Sequence, residues 1–258
     1  MRIFVKMQEF KDLNVVFALD EGCPSITDEI PVFYGERSPW WIHVKCKGTP
    51  GHASMLKPDT AGEKFYRFVD KMMKFRDGQK TKYDWTYDNQ QQMGETLSVN
   101  LTMVEGGKQP NVIPSHLTAT FDCRIPPNID LTKFENQLNA WAKEIDLSCG
   151  GPGDSIELTF SQQEKGQAIC DVNGEQCAPF WKPFKAAVEK AGMKPRLSIF
   201  PAATDCRYVR EEGISALGFS PIPLTPFLLH DHDEYVSTET FLKGITVYVD
   251  ILKGITAA

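Results

Sequence analysis

No apolar run in this chain approaches the roughly 18 residues needed to cross a bilayer. The opening MRIFVKMQEFKD lacks the apolar stretch of a secretory signal. Blocks of lysine and arginine are also missing. With 28 basic against 34 acidic residues the net charge is −6, which removes the electrostatic footprint of nucleic-acid binding. None of the seven cysteines forms a C-x-x-C pair. An odd, scattered set in a chain of this size reads as free thiols in a reducing compartment, so a cytoplasmic protein without membrane or nucleic-acid partners is expected. Internal repeats and long low-complexity tracts are absent, and histidine is scarce, at five residues. What remains is an ordinary globular composition, 41% hydrophobic and 24% charged. Its 258 residues suffice for one large domain or two small ones.

Residues 1–5 have no cap and read as the interior of a helix. Residues 15–19 form a continuous apolar run, as in a strand buried on both faces, closed by Asp20-Glu21-Gly22. From Ser38 the pattern changes. Residues 40–46 alternate as a strand, and 47–54 turn. Ala61, Phe65, Phe68, Val69, Met72 and Met73 then recur at helical spacing. A polar linker around Gln90 to Gln92 follows, then an alternating strand over 97–104 and a turn at Gly106-Gly107. Residues 117–124 alternate again, and Pro126-Pro127 stops them. Phe134, Leu138, Trp141 and Ala142 mark a helix over 131–145, and 156–160 make one more strand. This β-α-β-β-α-β order predicts a ferredoxin-like domain over 38–162, with one helical face and one open sheet face.

Residues 162–177 are polar and read as a linker. Beyond them the pattern is helix (179–192), strand (196–200), short helix (204–212), strand (214–219), a histidine-rich loop and a last helix (237–253). That alternation predicts a parallel α/β sheet. The fold class is therefore α/β, with 1–37 and 163–258 forming a larger α/β domain into which the small α+β domain is inserted.

The chemistry concentrates in three places. Leu229-His230-Asp231-His232-Asp233-Glu234 gathers two histidines and three carboxylates between a buried strand and a helix. Imidazole and carboxylate suit zinc, while a solvated acidic loop before a helix N-terminus explains the same residues. Asp20 and Glu21 stand at the C-terminal end of a buried strand, where open α/β sheets bind ligands, and equally where Asp-Glu-Gly makes a turn. Thr204, Asp205, Arg207 and Arg210 fall at a helix start, where an anion can dock. For Arg210 a surface ion pair with Glu211 or Glu212 is the competing reading.

Taken together and in order, several motifs resemble one family. They are Asp20-Glu21-Gly22, Glu36-Arg-Ser-Pro-Trp-Trp41, Gly48-Thr-Pro-Gly-His52-Ala-Ser54, Asn111-Val-Ile-Pro114, Phe121-Asp-Cys-Arg124, Pro201-Ala-Ala-Thr-Asp205-x-Arg207-Tyr-x-Arg210 and the His230 loop. The chain is similar over nearly its whole length to the aminoacylase branch of the M20 family of co-catalytic zinc peptidases and amidohydrolases. The resemblance implies hydrolysis of N-acyl-L-amino acids to a carboxylate and a free amino acid, with two zinc ions per complete subunit. It implies Glu21 and His230 as zinc ligands, with His232, Asp20 and Asp231 as their supports. It makes His52 a lid histidine that reaches the partner subunit of a homodimer and stabilises the tetrahedral oxyanion. It casts Asn111 and Arg124 as substrate-holding lid residues, Arg124 as a bidentate partner for the substrate α-carboxylate.

The resemblance covers about the last two-thirds of such an enzyme. The family's His-x-Asp motif, bridging aspartate and Glu-Glu pair have no counterpart here, since no histidine precedes His43 and no Glu-Glu pair lies upstream of Asp20. The catalytic domain is thus expected to be incomplete, and the 258 residues alone inactive or nearly so, because two ligands fall short of the three a zinc site needs. A non-catalytic role follows as an alternative, in which the chain dimerises with a full-length subunit and lends it His52. A dipeptidase or deacetylase activity fits the lid motifs as well.

Overall fold

The computed structural model describes residues 1–82 and 90–257. In chain order the elements are α1 (Gln8–Asp12), β1 (Phe17–Asp20), β2 (Glu29–Glu36), β3 (Ser38–Lys47), β4 (Gly51–His52), α2 (Ala61–Lys80) and α3 (Gln90–Glu95). Then come β5 (Ser98–Gly106), β6 (Val112–Ile113), β7 (His116–Ile125), α4 (Leu131–Ser148), β8 (Ile156–Gln163), α5 (Ala178–Lys190), β9 (Lys194–Phe200), α6 (Cys206–Glu211), β10 (Ser215–Phe219) and α7 (Thr238–Ile255). They divide into two compact units. One contains Met1–Arg37, Tyr87–Gly94 and Gly166–Ala258, the other Ser38–Thr86 and Glu95–Lys165. Of the polar linker expected around Gln90, residues 83–89 lie outside the described part, and α3 occupies the rest.

The Ser38–Lys165 unit is an antiparallel sheet in the order β5-β7-β3-β8. That order is the ferredoxin-like arrangement predicted from the pattern. Alternation along β3 sends Trp40, Ile42 and Val44 to one face, where they meet Phe121 and Cys123 of β7, Phe68 and Met72 of α2, and Phe134 and Leu138 of α4. The opposite face carries Trp41, His43, Asp122 and Arg124. Both long helices start on side-chain caps. The Thr60 hydroxyl accepts from Glu63 N–H at 3.3 Å, and the Asp130 carboxylate from Lys133 N–H at 3.0 Å.

The other unit holds a sheet in the order β1-β10-β2-β9. The pairs β1–β10 and β2–β9 are parallel, but β10 and β2 run antiparallel. The sheet is therefore mixed, not the parallel one expected. The difference comes from β2, which the sequence pattern did not mark as a strand. Its continuous run Ile30 to Tyr34 contains Pro31 and ends at Gly35, residues that normally punctuate rather than build strands. Helices cover both faces. Ile30, Val32, Leu217 and Phe219 pack on α5 and α7 through Phe184, Val188, Val247 and Ile251. On the reverse, Ala216 packs with Val5, Phe10, Cys206 and Val209. The first residues are not a helix interior. A 3-10 turn at Phe4–Lys6 gives way at Met7, whose ψ of 156° is extended, to the short α1. Nor is 162–177 a bare linker, since Cys170, Val172 and Cys177 belong to the buried core.

Candidate functional site

In the mixed-sheet unit the chain leaves β1 at Asp20 in a tight place. A Cβ on Gly22 would lie 2.5 Å from Ser220 N, so only glycine lets β1's exit press against the end of β10. Gly22 N–H donates to Ser220 Oγ at 2.9 Å. Asp20 accepts from the N–H groups of Glu21 (2.9 Å) and Cys206 (3.0 Å), tying the strand end to the start of α6. Asp20, Glu21 and Asp205 thus crowd three carboxylates. A proton shared with the Asp20 carboxylate raises the Glu21 carboxyl to about 7, aided by burial and by the charges of Asp20 and Asp205. Burial would raise Asp20 too, but the Glu21 and Cys206 donors hold it below the usual carboxylate range.

The helix start beyond β9 is organised by a residue to which the sequence reading assigned no role. Glu36, at the end of β2, accepts from Thr204 N–H and from the Thr204 hydroxyl (3.1 Å), and pairs with Arg210 Nη1 at 3.2 Å. Arg210 also donates to Ala216 O (2.9 Å) and Phe33 O (3.2 Å). The anion at this turn is the protein's own Glu36, and Arg210's ion pair is a buried one, not one with Glu211 or Glu212 at the surface. Burial of a Glu and an Arg requires that each find a partner, but with β2 not marked as a strand nothing in the sequence pointed to the burial of Glu36. Asp205 is exposed, and Arg207 stacks on Tyr208, its guanidinium carbon 4.7 Å from the ring centroid.

His230 sits in the exposed loop between β10 and α7 with φ of 61°, a left-handed conformation that it shares with Asp233. Asp231 Oδ1 accepts from His232 N–H at 2.7 Å and so bends the loop locally. Among the described residues, no three His, Cys, Asp or Glu side chains are grouped to hold a metal ion. Glu21 and His230 have the right donor chemistry, but these residues alone do not make up a zinc site.

In the ferredoxin-like unit, β4 and β6 form a two-stranded ribbon with His52 opposite Val112. Ala53 N–H donates to Asn111 O at 3.0 Å, which fixes Asn111 beside the histidine. His52 Nδ1 meets Ser54 Oγ at 2.8 Å and accepts from Ser54 N–H at 3.3 Å. Since Nδ1 is an acceptor, the neutral ring carries its proton on Nε2. The exposed imidazole then offers one N–H donor, in a ring held from behind. Arg124 is engaged bidentately by Asp122, with Nε–Oδ1 at 2.7 Å and Nη2–Oδ2 at 2.9 Å. Trp41 Nε1–H donates to the same carboxylate at 2.8 Å.

Comparison with known proteins follows this geometry. The model of a peptidase dimerisation domain of the M20 family matches residues 34–148. Aminoacylase-1 of Sus scrofa is 40% identical over 255 residues, which is 99% of this chain and 60% of that protein. Aminoacylase-1 of Homo sapiens is 39% identical over the same shares. That of Dictyostelium discoideum is 36% identical over 99% of this chain and 62% of its own length. The chain thus spans about three-fifths of the curated relatives it matches. Among solved structures, a Staphylococcus aureus tripeptidase superposes with a TM-score of 0.69 at 14% identity, over all of this chain and 61% of that one. Human carnosine dipeptidase 1 does so with 0.65 at 11% identity, over all of this chain and 64% of that one. At such identities these two likenesses speak for the fold. No helix among the described residues is long and apolar enough to cross a membrane.

Proposed function

We propose that this chain, which is similar to aminoacylase-1 and matches the M20 peptidase dimerisation domain over residues 34–148, belongs to that family and serves the metal-dependent hydrolysis of N-acyl-L-amino acids. The observation that carries this reading is His52. Its ring is oriented by Ser54, the next residue is bound to Asn111, and in this exposed ring Nε2–H remains as the donor. A fixed, pre-oriented N–H is what a tetrahedral oxyanion requires. The ferredoxin-like unit would bring His52 to a partner subunit in a homodimer, with Asn111 and Arg124 as further substrate contacts.

In the mixed-sheet unit, Glu21 and His230 are the proposed zinc ligands, with Asp20, Asp231 and His232 supporting them. Bound zinc would lower the pKa of water and polarise the amide carbonyl. The negative charges of Asp20 and Asp205 felt by Glu21 favour a cation beside it, though the three carboxylates are not grouped as a ligand set. The exposed Asp205 and the half-buried Arg207 are proposed to face substrate. Thr204 and Arg210 act through Glu36 to hold that turn. A cytoplasmic setting accords with seven unpaired thiols.

A second reading follows from the donor count. Two candidate ligands are fewer than three, so these 258 residues are proposed to act as a subunit that lends His52 to a complete active site rather than as an independent catalyst. Zinc per chain after dialysis is expected near zero, and N-acetyl-L-amino acid hydrolysis by the chain alone at background. The chain is then mixed with a complete aminoacylase-1 subunit whose corresponding lid histidine is alanine. Hydrolysis should rise by about 10²–10³-fold, the usual worth of one oxyanion donor. The same chain carrying His52→Ala should leave it unchanged. Two zinc ions per chain and independent turnover would discard the partner reading. Equal rescue by both chains would discard the role of His52.

A further inference from the structure

We propose that Cys170 and Cys177 are a redox pair, closing to a disulfide when a peroxide enters the cleft beside Cys170. Their Sγ atoms are 3.1 Å apart. A disulfide bond is about 2.05 Å long, so closure needs a shift of only about 1 Å. The turn between them is held by its own hydrogen bonds. Asn173 N–H donates to Asp171 Oδ1 (3.0 Å), Gly174 N–H to Asp171 O (3.1 Å) and Cys177 N–H to Gly174 O (3.1 Å). Cys170 lies in the wall of a surface cleft of about 400 Å³ with Asp171, Gln176, Arg210 and Ser215. Both thiols are buried, Cys170 at 5% exposure and Cys177 at 1%, but only Cys170 lines this cleft, so a small oxidant reaches it first.

The surroundings select this pair over the other thiols. A hydrogen bond with Cys177 draws the Cys170 thiol down to about 7, against burial and with help from Ser215 and the Ala216 backbone. Burial instead pushes the Cys23, Cys46 and Cys206 thiols up to about 12, and raises Cys123 and Cys149. The chemistry balances with hydrogen peroxide as the oxidant. The Cys170 thiolate attacks one peroxide oxygen, the O–O bond breaks, and the released hydroxide leaves as water, giving a sulfenic acid. Cys177 sulfur then attacks the Cys170 sulfur. The S–S bond forms, the S–O bond breaks, and the hydroxyl departs with the Cys177 proton as a second water.

The test is a peroxide titration of the native chain, followed by alkylation, trypsin digestion and mass spectrometry. The tryptic peptide from Gly166 to Lys185 contains these two cysteines and no other. It should become about 2 Da lighter and resist alkylation before any other cysteine is oxidised, and dithiothreitol should restore both thiols. In a Cys177→Ala chain, checked for native circular dichroism, Cys170 should instead be trapped as a sulfenic acid by dimedone. The Cys170→Ser chain should leave Cys177 unreacted. Oxidation of another cysteine first, sulfinic acid at Cys170 in the wild type, or two alkylated thiols at the dose that oxidises methionine would each overturn the pairing.

Discussion

Lys64→Met is expected to destabilise the ferredoxin-like unit by about 3–5 kcal/mol, the usual result of removing one partner from a buried ion pair. Lys64 is completely buried, and its ammonium lies 2.7 Å from Asp146 Oδ1 and 2.5 Å from Asp59 Oδ1. It also donates to Lys47 O at 2.9 Å and to Ser155 Oγ at 2.5 Å. Asp146, equally buried, accepts from Gly153 N–H (2.8 Å) and Ser155 N–H (2.9 Å). The cluster joins α2, α4 and the turn into β8. Methionine fills the space but leaves two carboxylates without their cation. Burial would raise the Asp146 carboxyl, but Lys64, Ser155 and Gly153 together hold it down at about 2.

The sign of the pH effect follows. A folded-state pKa below the unfolded value near 3.9 contributes stability that is complete above about pH 4 and vanishes as pH falls through 2. The wild-type contribution is about 2–3 kcal/mol by that linkage. Lys64→Met should flatten this acid limb. Urea unfolding followed by amide exchange on β3 and β7 isolates the unit from its neighbour, since two units need not unfold as one. A loss below 1 kcal/mol with the acid limb unchanged would mean that the backbone donors alone support Asp146.

The parts of this protein legible in its sequence are those where one physical signal dominates. In β3 and β7 the period-2 alternation of Trp40, Ile42, Val44 against Trp41, His43, Lys45 reflects a sheet covered on one face only. In α2 and α4 the 3.6-residue spacing of Phe68, Met72, Phe134 and Leu138 reflects helices lying on that face. Both follow from local burial, so the ferredoxin-like order could be read. Strand β2 is internal, pairing with β10 and β9, and so carries apolar residues without alternation. Its Pro31 and Gly35 concealed it, and with it the mixed character of the sheet.

The candidate site was legible as residue types in motifs, not as partnerships. Glu36 and Arg210 are 174 positions apart, and Cys170 and Cys177 sit in a stretch polar enough to pass for a linker. Long-range pairing leaves no periodic trace. His52 and Asn111 could be named by motif, but their union in one ribbon depends on a chain reversal 59 residues long.

Arg210→Met is expected to cost about 3–5 kcal/mol in the mixed-sheet unit, with a pH dependence opposite in sign to that of Asp146. The Arg210 side chain is 2% exposed and that of Glu36 5%. Burial raises the Glu36 carboxyl, while Thr204 N–H and the charges of Arg210 and Arg207 oppose the rise. Removing Arg210 takes away one of those opposing charges, so the folded-state pKa climbs further above its unfolded value. A raised carboxyl pKa means the native state binds more protons than the unfolded one. Stability is then greatest below about pH 4 and is lost as pH rises towards the folded pKa. The variant should therefore be closest to wild type in mild acid and weakest at neutrality. Adding Glu36→Gln removes the buried charge and keeps an acceptor for Thr204, so the double variant should recover part of the loss and lose the pH slope. Amide exchange at Thr204 and Cys206 reads the same event locally, because Glu36 and Asp20 hold those two N–H groups. If the double variant is as unstable as Arg210→Met at pH 7, then the damage lies in the lost bonds to Ala216 O and Phe33 O, and Glu36 is not the residue through which Arg210 acts.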